Sequence, residues 1–174
     1  MTAPTLTQTE GRKKFLHYVF TTALEGGISY WAQTETYRWS NPNRRPESTV
    51  MDTDYLDLDG FCATITSAED EWGIPGAFQW MAPTDTADGY EYTHRLNGNE
   101  DLRIDIRTIQ RGVDQLVENV MAAVKSEDPD APFSRDYLRQ FVIQYLTNGE
   151  DGDSDADVCD MVVQLGLFGE LVYA

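Results

Sequence analysis

Apolar residues recur at helical spacing at both ends of the chain and alternate in its middle. Leu16, Val19, Phe20, Ala23 and Leu24 fall three or four apart, which predicts a helix from about Glu10 to Glu25. Gly26 and Gly27 follow and predict its end, because glycine takes the left-handed conformation of a helix C-terminus without steric cost. ISYWAQTETYRW, residues 28–39, is rich in aromatic and β-branched residues and reads as a strand, with Tyr30 and Trp31 facing opposite sides. SNPNRRPES is a loop by its Asn, Pro and Ser content. A second strand is expected from Gly60 to Thr66, where Phe61, Ala63 and Ile65 share one face. YEYTHRL, 90–96, alternates again and reads as a third strand. NGNED is a turn signal, and LRIDI reads as a short fourth strand.

The last third is helical. Ile109, Val113, Leu116, Val117, Val120 and Val124 form an apolar stripe from about Arg107 to Lys125. Gly112 interrupts it at a cost of about 1 kcal/mol against alanine, which points to close packing at that position. Ser134 is a candidate cap for a helix carrying Tyr137, Leu138, Phe141, Val142 and Tyr145 and ending at Gly149. A final helix is expected from Asp155, with Val158, Val162, Leu165, Phe168 and Val172 on one face. Its Gly166 and Gly169 offer a close approach to the core or to a second copy of the chain.

This order contains no strand–helix–strand alternation. It predicts an α+β fold: a small, mostly antiparallel sheet of about three to four strands packed against about four helices, with a helical C-terminal third. Residues 1–9 read as a flexible N-terminal arm and 10–174 as a single domain, the size that one core supports.

Charge narrows the partners. The chain carries a net charge of −17. Residues 1–50 hold six basic groups against four acidic ones, whereas residues 51–174 hold seven against 26. Such a field repels duplex DNA and anionic membranes, so neither is an expected partner. It suits solubility, an imitation of nucleic acid that occupies a basic protein, or an acidic shell around a local basic pocket. No apolar run approaches the roughly 20 residues of a membrane span. Cys62 and Cys159 read as buried thiols.

Motifs for catalysis and metal binding fail on their details. Asp151, Asp153, Asp155 and Asp157 alternate as in a calcium loop, but Ala156 replaces the turn-forming glycine and Val162 replaces the bidentate glutamate. The expectation is an acidic loop in which Ser154 or Asp155 caps the final helix. His17 and His94 are not at zinc-ligand spacing with either cysteine. Walker A, G-x-S-x-G and G-x-G-x-x-G are all absent. No catalytic residue, metal ligand or cofactor is therefore assigned.

One cluster stands out against this background. Tyr30, Trp31, Arg38, Trp39, Arg44 and Arg45 lie in the only third of the chain that is not acidic. Aromatic rings stack on a base, and arginine forks onto a phosphate. These six residues are the candidate ligand-binding set for a small anionic, nucleotide-like molecule. The structural alternative is strand aromatics beside a rim loop whose arginines pair with the chain's own carboxylates.

Three blocks, TTALEGGISYW, RIDIRTIQRGVDQLV and DADVCDMVVQLGLFGELVYA, together resemble a family of small accessory proteins encoded by tailed bacteriophages. The resemblance implies a viral protein acting in the cytoplasm of an infected bacterium, and it implies no catalytic residues. Countering a host defence is the associated role. Two mechanisms fit: sequestration of a small anionic molecule, or an acidic, DNA-mimicking surface that inhibits a basic host protein. A virion or assembly component is the third reading.

Overall fold

The structure is a computed structural model, and it describes residues 9–41, 55–68 and 101–173. The expected strand 90–96 and Arg44 and Arg45 lie outside the described residues, as does the N-terminal arm up to residue 8. Thr9 belongs to the first helix: its Oγ1 accepts from the Arg12 amide at 3.2 Å and caps α1, Glu10–Thr22.

The order is α1, a π-helical turn at Ala23–Gly27, a 3-10 turn at Ile28–Tyr30, β1 (Ala32–Arg38), β2 (Cys62–Ser67), β3 (Leu102–Asp105), α2 (Ile106–Ser126), α3 (Asp136–Leu146) and α4 (Ala156–Phe168). The fold is α+β. The three described strands form an antiparallel sheet in the order β1-β2-β3. Ala63, Ile65, Leu102 and Ile104 point into the core, as alternation predicts, while Thr64 and Thr66 are half-exposed and Arg103 is exposed on the other face. β3 passes into α2 without a loop. Asp105 ends the strand and caps the helix, its Oδ1 accepting from the Arg107 and Thr108 amides at 2.9 and 3.3 Å.

α2 and α4 form the centre of the helical layer. A methyl group at Gly112 would fall inside the van der Waals radius of the Val162 carbonyl oxygen, and one at Gly166 would meet the Thr108 carbonyl in the same way. Residues 108 and 112 of α2 therefore oppose 166 and 162 of α4, and the two helices run antiparallel with their backbones in contact. The small residues of α4 serve packing within the chain. Gly169 is not at that contact; it ends α4 in the left-handed conformation.

Three local expectations are corrected. Gly26 and Gly27 do not stop α1. The helix continues as a π turn, and Gly27 keeps a right-handed φ of −87°. Glycine is needed there for proximity, since a Cβ would lie 2.5 Å from the Ala156 carbonyl oxygen at the start of α4. Tyr30 and Trp31 precede the strand rather than standing on its two faces. Ser134 does not cap α3: its hydroxyl donates to the Pro129 carbonyl at 2.7 Å, and Arg135 occupies the cap position without a side-chain bond. At α4 the expected cap is present, with Asp155 Oδ1 accepting from the Val158 amide at 3.0 Å.

Both cysteines are free thiols. Cys159 is buried, which pushes its pKa up to about 12, whereas Cys62 is only half-buried on the outward face of the sheet.

Candidate functional site

The two halves of the expected aromatic–arginine set separate at β1. Tyr30 and Trp31 lie at its start and are anchored on α4. Trp31 is fully buried, its Nε1 donates to Asp160 Oδ1 at 2.7 Å, and its ring stacks on Tyr173 with centroids 4.9 Å apart. Trp31 is thus a core residue and offers no stacking surface to a ligand. A large indole meets its burial requirement and its N–H requirement at once here. Tyr30 is partly exposed, but its hydroxyl donates to Asp160 Oδ2 at 2.7 Å.

Asp160 is the hub of this arrangement. Gln164, one turn along α4, donates from Nε2 to Asp160 Oδ2 at 2.9 Å and to the Tyr173 carbonyl at 3.1 Å. Gln164 Oε1 accepts from the Val172 and Tyr173 amides at 2.9 and 2.8 Å. The network ties the segment after α4 to the turn before β1. Burial raises the Asp160 pKa against the lowering effect of three donors. Burial also raises that of Tyr30, which keeps the phenol protonated as a donor. A carboxylate surrounded by its own donors is a structural element and presents no free group to a substrate.

Arg38 and Trp39 lie at the other end of β1. Arg38 Nη2 pairs with Asp57 Oδ2 at 2.7 Å while its side chain stays 58% exposed. The Asp57 amide donates to the Trp39 carbonyl at 3.0 Å, and Asp57 Oδ1 accepts from the Gly60 amide at 2.9 Å. Trp39 is half-buried and meets Tyr55 edge-on at 5.7 Å. Buried His17 contacts the Trp39 carbonyl through Nε2 at 2.7 Å, and burial lowers its pKa. Nε2 therefore carries the proton and donates in a neutral ring. Of the six candidate residues, Arg38 and Trp39 alone form a described, partly exposed corner, and Arg38 is already neutralised by Asp57.

A feature absent from the sequence-based expectation lies beside β1. A cavity of about 410 Å³ is lined by Leu24, Ile28, Ser29, Ala32, Gln33, Thr34 and Ala68. It is of ligand or side-chain size, yet none of its lining residues is ionisable. Its walls come from the π turn, the 3-10 turn, the start of β1 and the residue after β2. No single sequence window contains them, so periodicity gives no sign of it. Among the described residues no group of His, Cys, Asp or Glu is arranged to hold a metal ion. No helix among them is long and apolar enough to cross a membrane.

The chain matches no protein-family model, no curated protein sequence and no solved structure.

Proposed function

We propose that this chain is a non-catalytic binding protein, a bacteriophage accessory factor that counters a host defence by occupying a basic host protein with its acidic helical surface. The observation that carries this reading is the placement of charge. Glu127, Asp128, Asp130 and Asp136 are exposed around the α2–α3 connection, and Glu150, Asp151, Asp153, Asp155 and Asp157 are exposed ahead of and at the start of α4. The cations among them are few, and Arg139 is paired with Asp136 at 3.5 Å. A one-sign surface of this kind steers a positively charged partner and repels nucleic acid. The viral setting rests on the resemblance of the three sequence blocks alone.

The test is a low-salt capture of nucleic-acid-binding proteins from bacterial lysate, repeated with Asp128, Asp130, Asp151 and Asp153 changed to asparagine. Capture should fall steeply with added salt and should be lost in the neutralised variant. Equal recovery by both forms would remove the acidic surface from the mechanism.

The corner at Arg38 favours a second reading, capture of a small nucleotide-like anion. Arg38 is exposed beside the Trp39–Tyr55 pair, where a phosphate would compete with Asp57 for the guanidinium. Under this reading Arg38→Ala weakens binding of a nucleoside triphosphate by about tenfold, the worth of one charge-assisted contact. Calorimetric titration in which wild type and variant give the same affinity would discard it.

A further inference from the structure

The cavity lies at the outer edge of β1, which has no partner strand among the described residues. The Trp31 carbonyl accepts from the Ala68 amide at 3.0 Å, and the register pairs Ala32 with Ser67 and Gln33 with Thr66. Antiparallel ladders alternate hydrogen-bonded and non-bonded pairs. Trp31–Ala68 and Gln33–Thr66 are then the bonded pairs. Ala32 and Thr34 consequently turn their N–H and C=O groups away from β2, toward the outer edge. β1 is the outermost strand of the described sheet on that side, and Ala32 and Thr34 both line the cavity. The register shifts between Thr34 and Thr36, a bulge that bends the strand and limits the regular edge to its first three residues.

We propose that the Ala32–Thr34 edge and its adjoining cavity accept an extended, basic segment of a partner protein, which adds as a further strand. The proposal rests on reading the chain as a protein-binding module and names a specific surface for it. Strand addition takes its affinity from main-chain hydrogen bonds and its specificity from pockets for alternate side chains. Here the pocket is the cavity, whose Leu24, Ile28, Ala32 and Ala68 suit a small aliphatic side chain. The requirement for positive charge comes from the surroundings. Glu35 is exposed at the bulge, Glu25 is exposed on the π turn that forms one cavity wall, and the whole chain is strongly acidic. An acidic strand would be repelled, and so would a second copy of this chain.

The probe is a terminally blocked peptide of about eight alternating valine and lysine residues, the length of an ordinary strand. Its titration is followed by amide NMR shifts and by fluorescence anisotropy. The largest shifts should fall on Ala32, Gln33 and Thr34. N-methylation of alternate peptide amides, in one of the two registers, should weaken binding by at least about tenfold, the loss of one or two main-chain bonds. Thr34→Pro should do the same. It deletes an N–H that points away from β2, so the ladder is kept, whereas Thr34→Val should bind as wild type does. Binding that ignores both N-methylation and Thr34→Pro, with shifts at residues 127–136 and 150–157, would overturn the edge while sparing the acidic surface. No peptide binding, together with slow hydrogen exchange at Ala32 and Thr34, would show the edge already covered by this chain or a second copy and would also overturn it. Absence of binding with exchange-accessible amides would count against both the edge and the acidic-surface reading.

Discussion

Gly112→Ala is expected to lower the stability of the protein by about 2–4 kcal/mol, although alanine is the better helix former by about 1 kcal/mol. The two contributions have opposite signs, and the contact decides which prevails. In an isolated α2 the added methyl would reduce the freedom of the unfolded chain and stabilise the helix. In the folded protein it would collide with the Val162 carbonyl, which belongs to another helix backbone and cannot rotate away as a side chain can. α2 and α4 would have to separate. That separation would disturb the bonds by which Arg111 Nη2 and Gln115 Nε2 reach the Gly166 and Gly169 carbonyls, at 3.1 and 2.6 Å. Those bonds satisfy carbonyls at the C-terminal end of α4 that have no partner further along the helix. Gly166→Ala should behave alike through the Thr108 carbonyl. Urea denaturation tests this directly: the midpoint should fall with an unchanged slope. A neutral or stabilising Gly112→Ala would mean that the two backbones do not touch.

Asp160→Ala is expected to destabilise by about 2–3 kcal/mol at neutral pH, chiefly by leaving the buried Trp31 N–H without an acceptor. Tyr30 and Gln164 lose a partner as well, so the segment at Val172 and Tyr173 should loosen. Loss of the buried charge offsets part of this cost, because an ionised carboxylate is itself unfavourable there. The pH dependence follows from the sign of the shift. Burial raises the pKa of Asp160 above its ordinary value of 3.8. Its contribution is then fully present below that ordinary value and declines as pH rises through the raised one. The stability gap between wild type and Asp160→Ala should therefore be widest in acid and narrow toward neutral pH. Paired denaturation curves across that range measure it. A gap that widens with pH would show that the three donors outweigh burial and that the carboxylate is held ionised.

Several elements are legible because their signal is local. The stripe from Ile109 to Val120 predicts α2 since each of its buried positions lies within a turn of the next. The alternation Phe61, Ala63, Ile65 predicts β2 for the same reason at a shorter period. A cap at Ser154 or Asp155 is recognisable because a cap's partner lies two or three residues away, and the bond from the Val158 amide selects Asp155. Gly112 is legible as a close contact because its poor helix propensity, inside a strong helix, needs a compensating reason.

The candidate site was less legible. Trp31 and Tyr30 read equally well as ligand-stacking aromatics and as core or network residues, because both roles favour the same side chains. What separates the two readings is Asp160, 129 residues away from Trp31. Nothing near Trp31 in the sequence indicates that this carboxylate will meet its N–H. The same limit applies to Arg38, whose Asp57 partner is brought alongside by the pairing of residues 39–41 with 55–57. The cavity beside β1 has four separate walls and no motif.

The sequence by itself determined the α+β class, the helical C-terminal third, the faces of β2 and α2, and the acidic character of the chain. Each follows from residues close together in the chain or from composition. Only the tertiary structure decided which glycine marks a turn and which a helix crossing, which aromatic is core and which is exposed, and where the outer edge of the described sheet meets a cavity. These depend on which distant groups become neighbours, and burial and hydrogen bonding at that contact then set each residue's role.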